Sequence, residues 1–146
     1  MDDVKNEIKI EAATNKDTES ITALYRKLYR GDEKQKFFRS DALPSYFKSG
    51  SKVFVAKDGK KIIGFIWAVF YEHIKNKGVG IIEELYVCDG YRKRGIGKSL
   101  VFRAINYLKK HSTVIVVTTD PNMKAATAFY KSIGFKVSRE WFYYKV

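Results

Sequence analysis

The spacing of apolar and polar positions changes period several times along this chain, and each change marks an element. Glu7-Ile8-Lys9-Ile10-Glu11-Ala12 alternates with period two, which predicts a first strand with Ile8, Ile10 and Ala12 turned inward. The period then lengthens. Ile21, Leu24, Tyr25 and Leu28 form one helical stripe, Asn15 and Asp17 are candidate N-caps, and Gly31 marks the stop. Residues 37–48 are less regular; Asp41 as cap, Pro44 in a first turn and Gly50 as terminator predict a short helix. Residues 51–56 and 61–71 are two apolar runs joined by Lys57-Asp58-Gly59-Lys60. Asp-Gly supplies the positive-φ geometry of a tight hairpin, so these runs should be antiparallel neighbours. Gly64, inside the second run, marks a bulge or a close backbone approach.

Residues 72–80 are polar and read as a loop. Ile81, Ile82, Leu85, Tyr86 and Val87 then have the content of a strand packed on both faces. Ile96, Leu100, Val101, Ala104, Ile105 and Leu108 recur at helical spacing over residues 95–110. Residues 113–118 (TVIVVT) form a buried strand. Reaching it from residues 81–87 through a helix implies parallel pairing with a right-handed crossover. Asp120-Pro121-Asn122 breaks the chain, residues 123–132 form a short helix ended by Gly134, and residues 135–137 and 140–146 read as two further strands. The predicted fold is one α/β domain over residues 1–146. Its sheet is mixed and largely antiparallel, with one parallel strand–helix–strand junction and helices on both faces.

Composition narrows the function. Aromatic content of 15% and hydrophobic content of 45% exclude a disordered chain. No apolar run approaches the ~20 residues needed to span a bilayer. The opening MDDVKNEIKI lacks the basic-then-apolar pattern of a signal peptide, so the expected location is cytoplasmic. A single cysteine, Cys88, leaves no intramolecular disulfide or thiolate cluster, and its expected role is packing. His73 and His111, the only histidines, give poor support to zinc or Ser-His-Asp chemistry, and no metal is expected. His111 falls near a helix C-terminus, where a cation is favoured. The net charge of +12 attracts polyanions, but the lysines are spread along the chain and no RNA-binding aromatic signature accompanies them.

The chemistry concentrates at Arg92-Lys93-Arg94-Gly95-Ile96-Gly97-Lys98. Cations and two glycines stand there at the mouth of a helix whose first N–H groups lack intrahelical partners. Such a mouth suits an anion, most naturally a phosphate or diphosphate. The plainer alternative is a glycine turn with a solvated charge run.

The order β-α-α-βββ-α-β-α-ββ, together with two motifs, resembles the GNAT acetyltransferase superfamily. One motif is Val87 followed by Arg92-x-x-Gly95-x-Gly97, similar to the family's (R/Q)-x-x-G-x-(G/A) acyl-CoA loop after an E-x-L-Y-V strand. The other is Ala125-x-x-x-Phe129-Tyr130-x-x-x-Gly134-Phe135, similar to its A-x-x-(F/L)-Y-x-x-x-G-F helix. The likeness covers nearly the whole chain. It implies acetyl-CoA as cosubstrate, with the diphosphate held by N–H groups of Arg92, Lys93, Arg94, Gly95, Ile96, Gly97 and Lys98. Pantetheine would lie along Leu85, Tyr86 and Val87 as an added strand, pairing with the backbone of Leu85 and Val87.

The resemblance also implies roles in transfer. Glu83 matches a glutamate proposed as base in diamine acetyltransferases, and Tyr130 matches the tyrosine that donates to the leaving thiolate. On a regular strand Glu83 and Glu84 point to opposite faces, with Glu84 the alternative base if a bulge shifts the parity. A carboxylate satisfied by a nearby lysine is the bland reading of either. The chain departs from the family at Met123, where many relatives carry a pantetheine-binding asparagine. Asn122, one residue earlier, is the candidate replacement.

Three readings of the acceptor follow. A small amine (polyamine, amino acid derivative or aminoglycoside) would meet an acidic pocket made by Glu72, Glu83, Glu84 and Glu140. A protein or peptide N-terminus is the second. The third, of another class, is a basic RNA- or ribosome-associated module on a degenerate acyl-CoA fold. The favoured partner is the small amine, with neither nucleic acid nor membrane expected and the aromatic-rich terminal strands plausible dimer surfaces.

Overall fold

A computed structural model of the chain describes residues 7–28, 50–72, 77–119 and 122–138. Strands β1 (Lys9–Ala12), β2 (Lys52–Asp58), β3 (Lys61–Tyr71), β4 (Gly78–Val87) and β5 (Ser112–Val117) form one sheet in that spatial order. The first three pairings are antiparallel and β4 runs parallel to β5. The described α-helices are α1 (Thr18–Leu28), α2 (Ile96–Leu108) and α3 (Lys124–Ile133). The mixed α/β class and the parallel junction are as the hydrophobic pattern predicts.

The unbroken apolar run of β3 follows from its central place. Ile63, Ile66 and Ala68 pack with Ile82, Leu100, Val101, Ala104 and Leu108, the α2 side of the core. Ile62, Phe65 and Trp67 pack with Ile21 and Leu24 of α1 and with Val53, Val55 and Tyr86. Covered on both faces, the strand has no polar side to show. Leu100 and Leu108 are fully buried, and each such side chain stabilises the fold by about 1.5–3 kcal/mol. Gly64 serves both purposes its position suggested. The register with β2 shifts beside it, and a Cβ there would stand 2.8 Å from the carbonyl oxygen of Tyr86. Cys88 is half-buried and packs against both core clusters.

The structure corrects the sequence reading in several places. Thr14, and not Asn15 or Asp17, caps the first helical segment, a short 3-10 turn (Asn15–Asp17) that leads into α1. The Thr14 N–H donates to Oδ2 of Asp17 at 2.9 Å, and Lys57 Nζ reaches Asp17 at 3.1 Å and Glu11 at 2.6 Å. Burial pushes the Asp17 carboxyl up, but the Thr14 amide and Lys57 outweigh it and hold the group below its usual range. Ala12 is exposed, and Ala13 is the alanine that packs inward.

Strand β4 starts at Gly78, inside the stretch read as loop; its two glycines carry no strand signal, but Gly80 lies too close to Leu108 and Ser112 for a side chain. Residues 135–137 are not a strand. The N–H of Phe135 donates to the carbonyl of Tyr130 as part of the α3 C-terminal cap, and Gly134 before it is left-handed at φ 114°. The expectations for Gly31, the short helix over 41–48, His73, Asp120, Pro121, Glu140 and the strand at 140–146 fall outside the described residues.

Candidate functional site

The sheet opens beside β4. Its pairing with β5 ends at Ile82 opposite Val117, and among the described residues no strand continues it along Glu83–Val87. The Cys88 N–H donates to the Ile63 carbonyl at 2.8 Å, so Cys88 turns its backbone toward β3. Polar groups alternate along an antiparallel strand, and the register is constant from Leu85 to Val87. Tyr86 therefore also faces β3, while Leu85 and Val87 turn their N–H and C=O groups into the opening. Arg92 Nε donates to the Val87 carbonyl at 2.8 Å from that side. The side chain of Tyr86 is buried against Phe65 on the α1 face. Of the three strand residues expected to line pantetheine, Leu85 and Val87 turn backbone groups into the opening and Tyr86 turns its own toward β3.

One step back along β4 the strand bulges. Ile66 pairs with Leu85 and Ala68 with Ile82, so Glu83 and Glu84 together stand opposite Trp67 alone. Ile82 and Leu85, three residues apart, consequently pack into the same core cluster. Strict alternation fails here, and the bulge that makes Glu84 the alternative to Glu83 is present. Glu83 keeps solvent access, yet loss of surrounding water lifts its carboxyl above the ordinary range. Glu84 is half-buried, and its charge is felt at Tyr130. Glu72 belongs to no acidic pocket with them. It follows Tyr71, which pairs with Val79, so it lies level with Gly78, five residues or roughly 16 Å down the strand from Glu83.

Beyond Val87 the chain turns through the basic loop into α2. Gly95 is the N-cap, left-handed at φ 77°, a conformation that glycine adopts without strain. A Cβ on Gly95 would meet nothing within 4 Å, so the space before the helix is open. The first intrahelical bond runs from Ser99 to the Gly95 carbonyl, which leaves the N–H groups of Ile96, Gly97 and Lys98 ahead of it. Lys93, Arg94 and Lys98 are exposed around this mouth. Arg92 is engaged by Val87, by Asp89 at 2.9 Å and by the ring of Tyr86 at 5.6 Å.

Helix α3 closes the other side. Phe129 stands near Gly97, and Tyr130 is buried, edge-on to Phe129 and Phe135. Burial first, and the charge of Glu84 second, push the Tyr130 hydroxyl up to about 12. Asn122 is exposed in the turn before α3, its carbonyl accepting the Lys124 N–H. A cavity of about 270 Å³ is lined by Lys124, Thr127, Ala128 and Lys131 of α3, and Tyr130 is not among its lining residues.

A residue with no signal in the hydrophobic pattern also belongs to this region. Tyr91, an aromatic inside a charge run, donates its hydroxyl to Asp58 at 2.7 Å. Only that interruption of the run could have drawn notice to it.

Comparison with known proteins agrees with this geometry. Residues 18–135 match the acetyltransferase (GNAT) family, and the chain belongs to it. An uncharacterised N-acetyltransferase of Methanocaldococcus jannaschii is 33% identical over 135 residues, 87% of this chain, and the chain spans 60% of that relative's length. Among solved structures, a putative acetyltransferase from Agrobacterium tumefaciens superposes with a TM-score of 0.82 at 21% identity, covering 94% of this chain and 99% of its own. AAC(6')-Iy, in complex with the bisubstrate analogue CoA-S-monomethyl-acetylneamine, superposes with a TM-score of 0.79 at 18% identity over 96% and 98% of the two chains. At these identities the two structures establish a shared fold.

Proposed function

We propose that this chain is an N-acetyltransferase that moves an acetyl group from acetyl-CoA to the primary amine of a small molecule, by direct attack in a ternary complex. The observation that carries the reading is the opening in the sheet, where Leu85 and Val87 direct backbone groups into a gap ending at the N–H groups of Ile96, Gly97 and Lys98. A pantetheine arm carries two amides that suit the first, and a diphosphate suits the second. Arg92 is engaged by the protein, so diphosphate binding falls to main-chain N–H groups and the exposed Lys93, Arg94 and Lys98. Asn122, exposed in the turn before α3, is the candidate for the pantetheine-binding role of the asparagine that Met123 replaces.

An alkylammonium with a pKa near 10.4 is almost wholly charged at pH 7, so transfer needs a proton acceptor. Glu83 fills that role, because loss of water raises its affinity for a proton while bulk solvent remains within reach. Glu84, in the same bulge, is the alternative. Tyr130 is protonated across the physiological range and can donate to the departing sulfur. Full transfer to a thiolate of pKa about 8.5 would be uphill by roughly 3.5 units, about 5 kcal/mol. Tyr130 therefore stabilises the sulfur's negative charge by a hydrogen bond; the ammonium proton leaves through the base before attack, and the second proton, shed by the nitrogen as the amide forms and the C–S bond breaks, ends on the sulfur of CoA.

The acceptor is assigned from local charge. Glu83 and Glu84 put two carboxylates beside the opening, and the +12 of the whole chain is screened over about 8–10 Å. The AAC(6')-Iy complex, in which CoA is joined to an aminoglycoside amine on the same fold, points the same way. The test is thiol release from acetyl-CoA with diamines, aminoglycosides, amino acids and N-terminal peptides. Turnover of small amines is expected. Turnover of peptides alone would sink the small-molecule assignment, and no turnover together with no acetyl-CoA binding would sink the enzyme reading.

A further inference from the structure

The loop between β4 and α2 holds a backbone conformation that L-residues avoid. Lys93 has φ 58°, on the positive side where among the described residues only glycines otherwise lie. Such a conformation persists where the surroundings over-determine it. Both neighbours of Lys93 are fixed. Arg92 is held by the Val87 carbonyl and Asp89. Arg94 stacks its guanidinium 5.2 Å from the ring centre of Tyr91, with Lys61 Nζ 5.8 Å from the same ring.

Tyr91 is itself anchored at two points. Its N–H donates to the Cys88 carbonyl at 3.1 Å, and its hydroxyl donates to Asp58 Oδ2 at 2.7 Å. Asp58 is the last residue of β2, in register with Lys61 across the β2–β3 turn. It belongs to the rigid sheet and not to the loop. The ring already packs against the core, so the core has no need of the hydroxyl. What the hydroxyl adds is a tie between the loop and a fixed strand end.

We propose that Asp58 and Tyr91 are positioning residues for the coenzyme diphosphate: their hydrogen bond fastens the anion loop to the β2–β3 turn and keeps the loop's N–H groups aimed at one point. The proposal rests on the acyl-coenzyme reading of the loop. A shift of the loop would weaken several N–H contacts together, whereas the pantetheine contacts on Leu85 and Val87 would be untouched.

The experiment is calorimetric titration of CoA, and separately of pantetheine, which lacks the diphosphate, into wild-type, Tyr91→Phe, Asp58→Ala and Asp58→Asn proteins, with melting temperatures alongside. Tyr91→Phe and Asp58→Ala should each weaken CoA binding roughly five- to tenfold. Pantetheine affinity and Tm should stay at wild-type values. Asp58→Asn, whose amide oxygen still accepts the hydroxyl, should remain within about twofold of wild type, and the Tyr91→Phe/Asp58→Ala double variant should be no weaker than either single one. Unchanged CoA affinity in Tyr91→Phe overturns the proposal. So does an equal loss for pantetheine, which would show the bond acting on the fold as a whole. Wild-type protein that bound pantetheine and not CoA would overturn the coenzyme reading of the loop itself, a result separable from failure of the variants.

Discussion

Gly97, in the first turn of α2, lies against Phe129 of α3: a Cβ on the glycine would stand 3.6 Å from Cζ of the ring and 3.8 Å from Cγ2 of Val87. That contact joins the two motifs that carry the family resemblance, and Tyr130 follows Phe129 directly. A methyl group fits at these separations, so Gly97→Ala should keep wild-type Tm. A bulkier side chain must displace the ring. Gly97→Leu should lower stability by about 1–3 kcal/mol through overpacking and reduce kcat by moving Tyr130. Thermal melts and steady-state kinetics on the pair check both outcomes.

Gly95 separates helix stability from ligand affinity. A carboxylate at a helix N-terminus stabilises the helix by about 0.3–1 kcal/mol, which offsets much of the strain of a side chain at φ 77°. The same charge opposes a diphosphate, and a like-charge pair 4 Å apart costs about 4 kcal/mol at an effective dielectric of 20. Gly95→Asp should therefore fold normally and bind acetyl-CoA at least about a hundredfold more weakly. Circular dichroism and equilibrium binding on one preparation decide it.

Tyr130→Phe should lower kcat about ten- to hundredfold with little change in acetyl-CoA affinity. Unchanged turnover would remove Tyr130 from catalysis. The hydroxyl also has a stability signature. Its folded-state pKa, about 12, lies above the reference 10.0, so its contribution is complete below pH 10 and is lost as pH rises toward 12. Two units correspond to about 2.7 kcal/mol. Denaturant midpoints of the wild type should fall across that window more steeply than those of Tyr130→Phe.

For Glu83 the sign runs against stability at neutral pH. Desolvation raises its folded-state pKa above the unfolded value, so the fold favours the protonated carboxyl. The stabilisation is present below the unfolded pKa and disappears as pH rises through the folded one. Glu83→Gln should hold or raise Tm at pH 7, lose that advantage near pH 4, and abolish the acidic limb of the kcat profile. A surviving acidic limb counts against Glu83 as the base and directs attention to Glu84.

The parts of this site legible in the sequence are those set by local chemistry. The apolar stripe of α2, the glycines at its mouth and the aromatic pair of α3 each announce themselves within a dozen residues. The bulge at Glu83 and Glu84 does not. It arises because β3 presents Trp67 alone against two residues of β4, a fact of pairing that neither strand carries by itself. Tyr91 and Asp58 escape for the same reason. They meet across 33 positions of sequence, and hydrophobic periodicity has no means to register a polar contact between a turn and a loop. Thr14 as cap, by contrast, is set by local chemistry. Thr-x-x-Asp is a near relative of the capping box, although Asn15 and Asp17 are by type equally good N-caps.

The parting of β4 from β5 after Ile82 has a consequence beyond catalysis. A molecule that completes the sheet binds the folded chain and not the unfolded one, so the population of folded protein depends by mass action on how much of that molecule is present. At a concentration a hundred times its dissociation constant, the added stability is about 2.7 kcal/mol, a sizeable fraction of the 5–15 kcal/mol typical of a domain. With acetyl-CoA as the proposed occupant, the protein's resistance to unfolding and proteolysis would then track the coenzyme supply, making it a determinant of how long the chain survives.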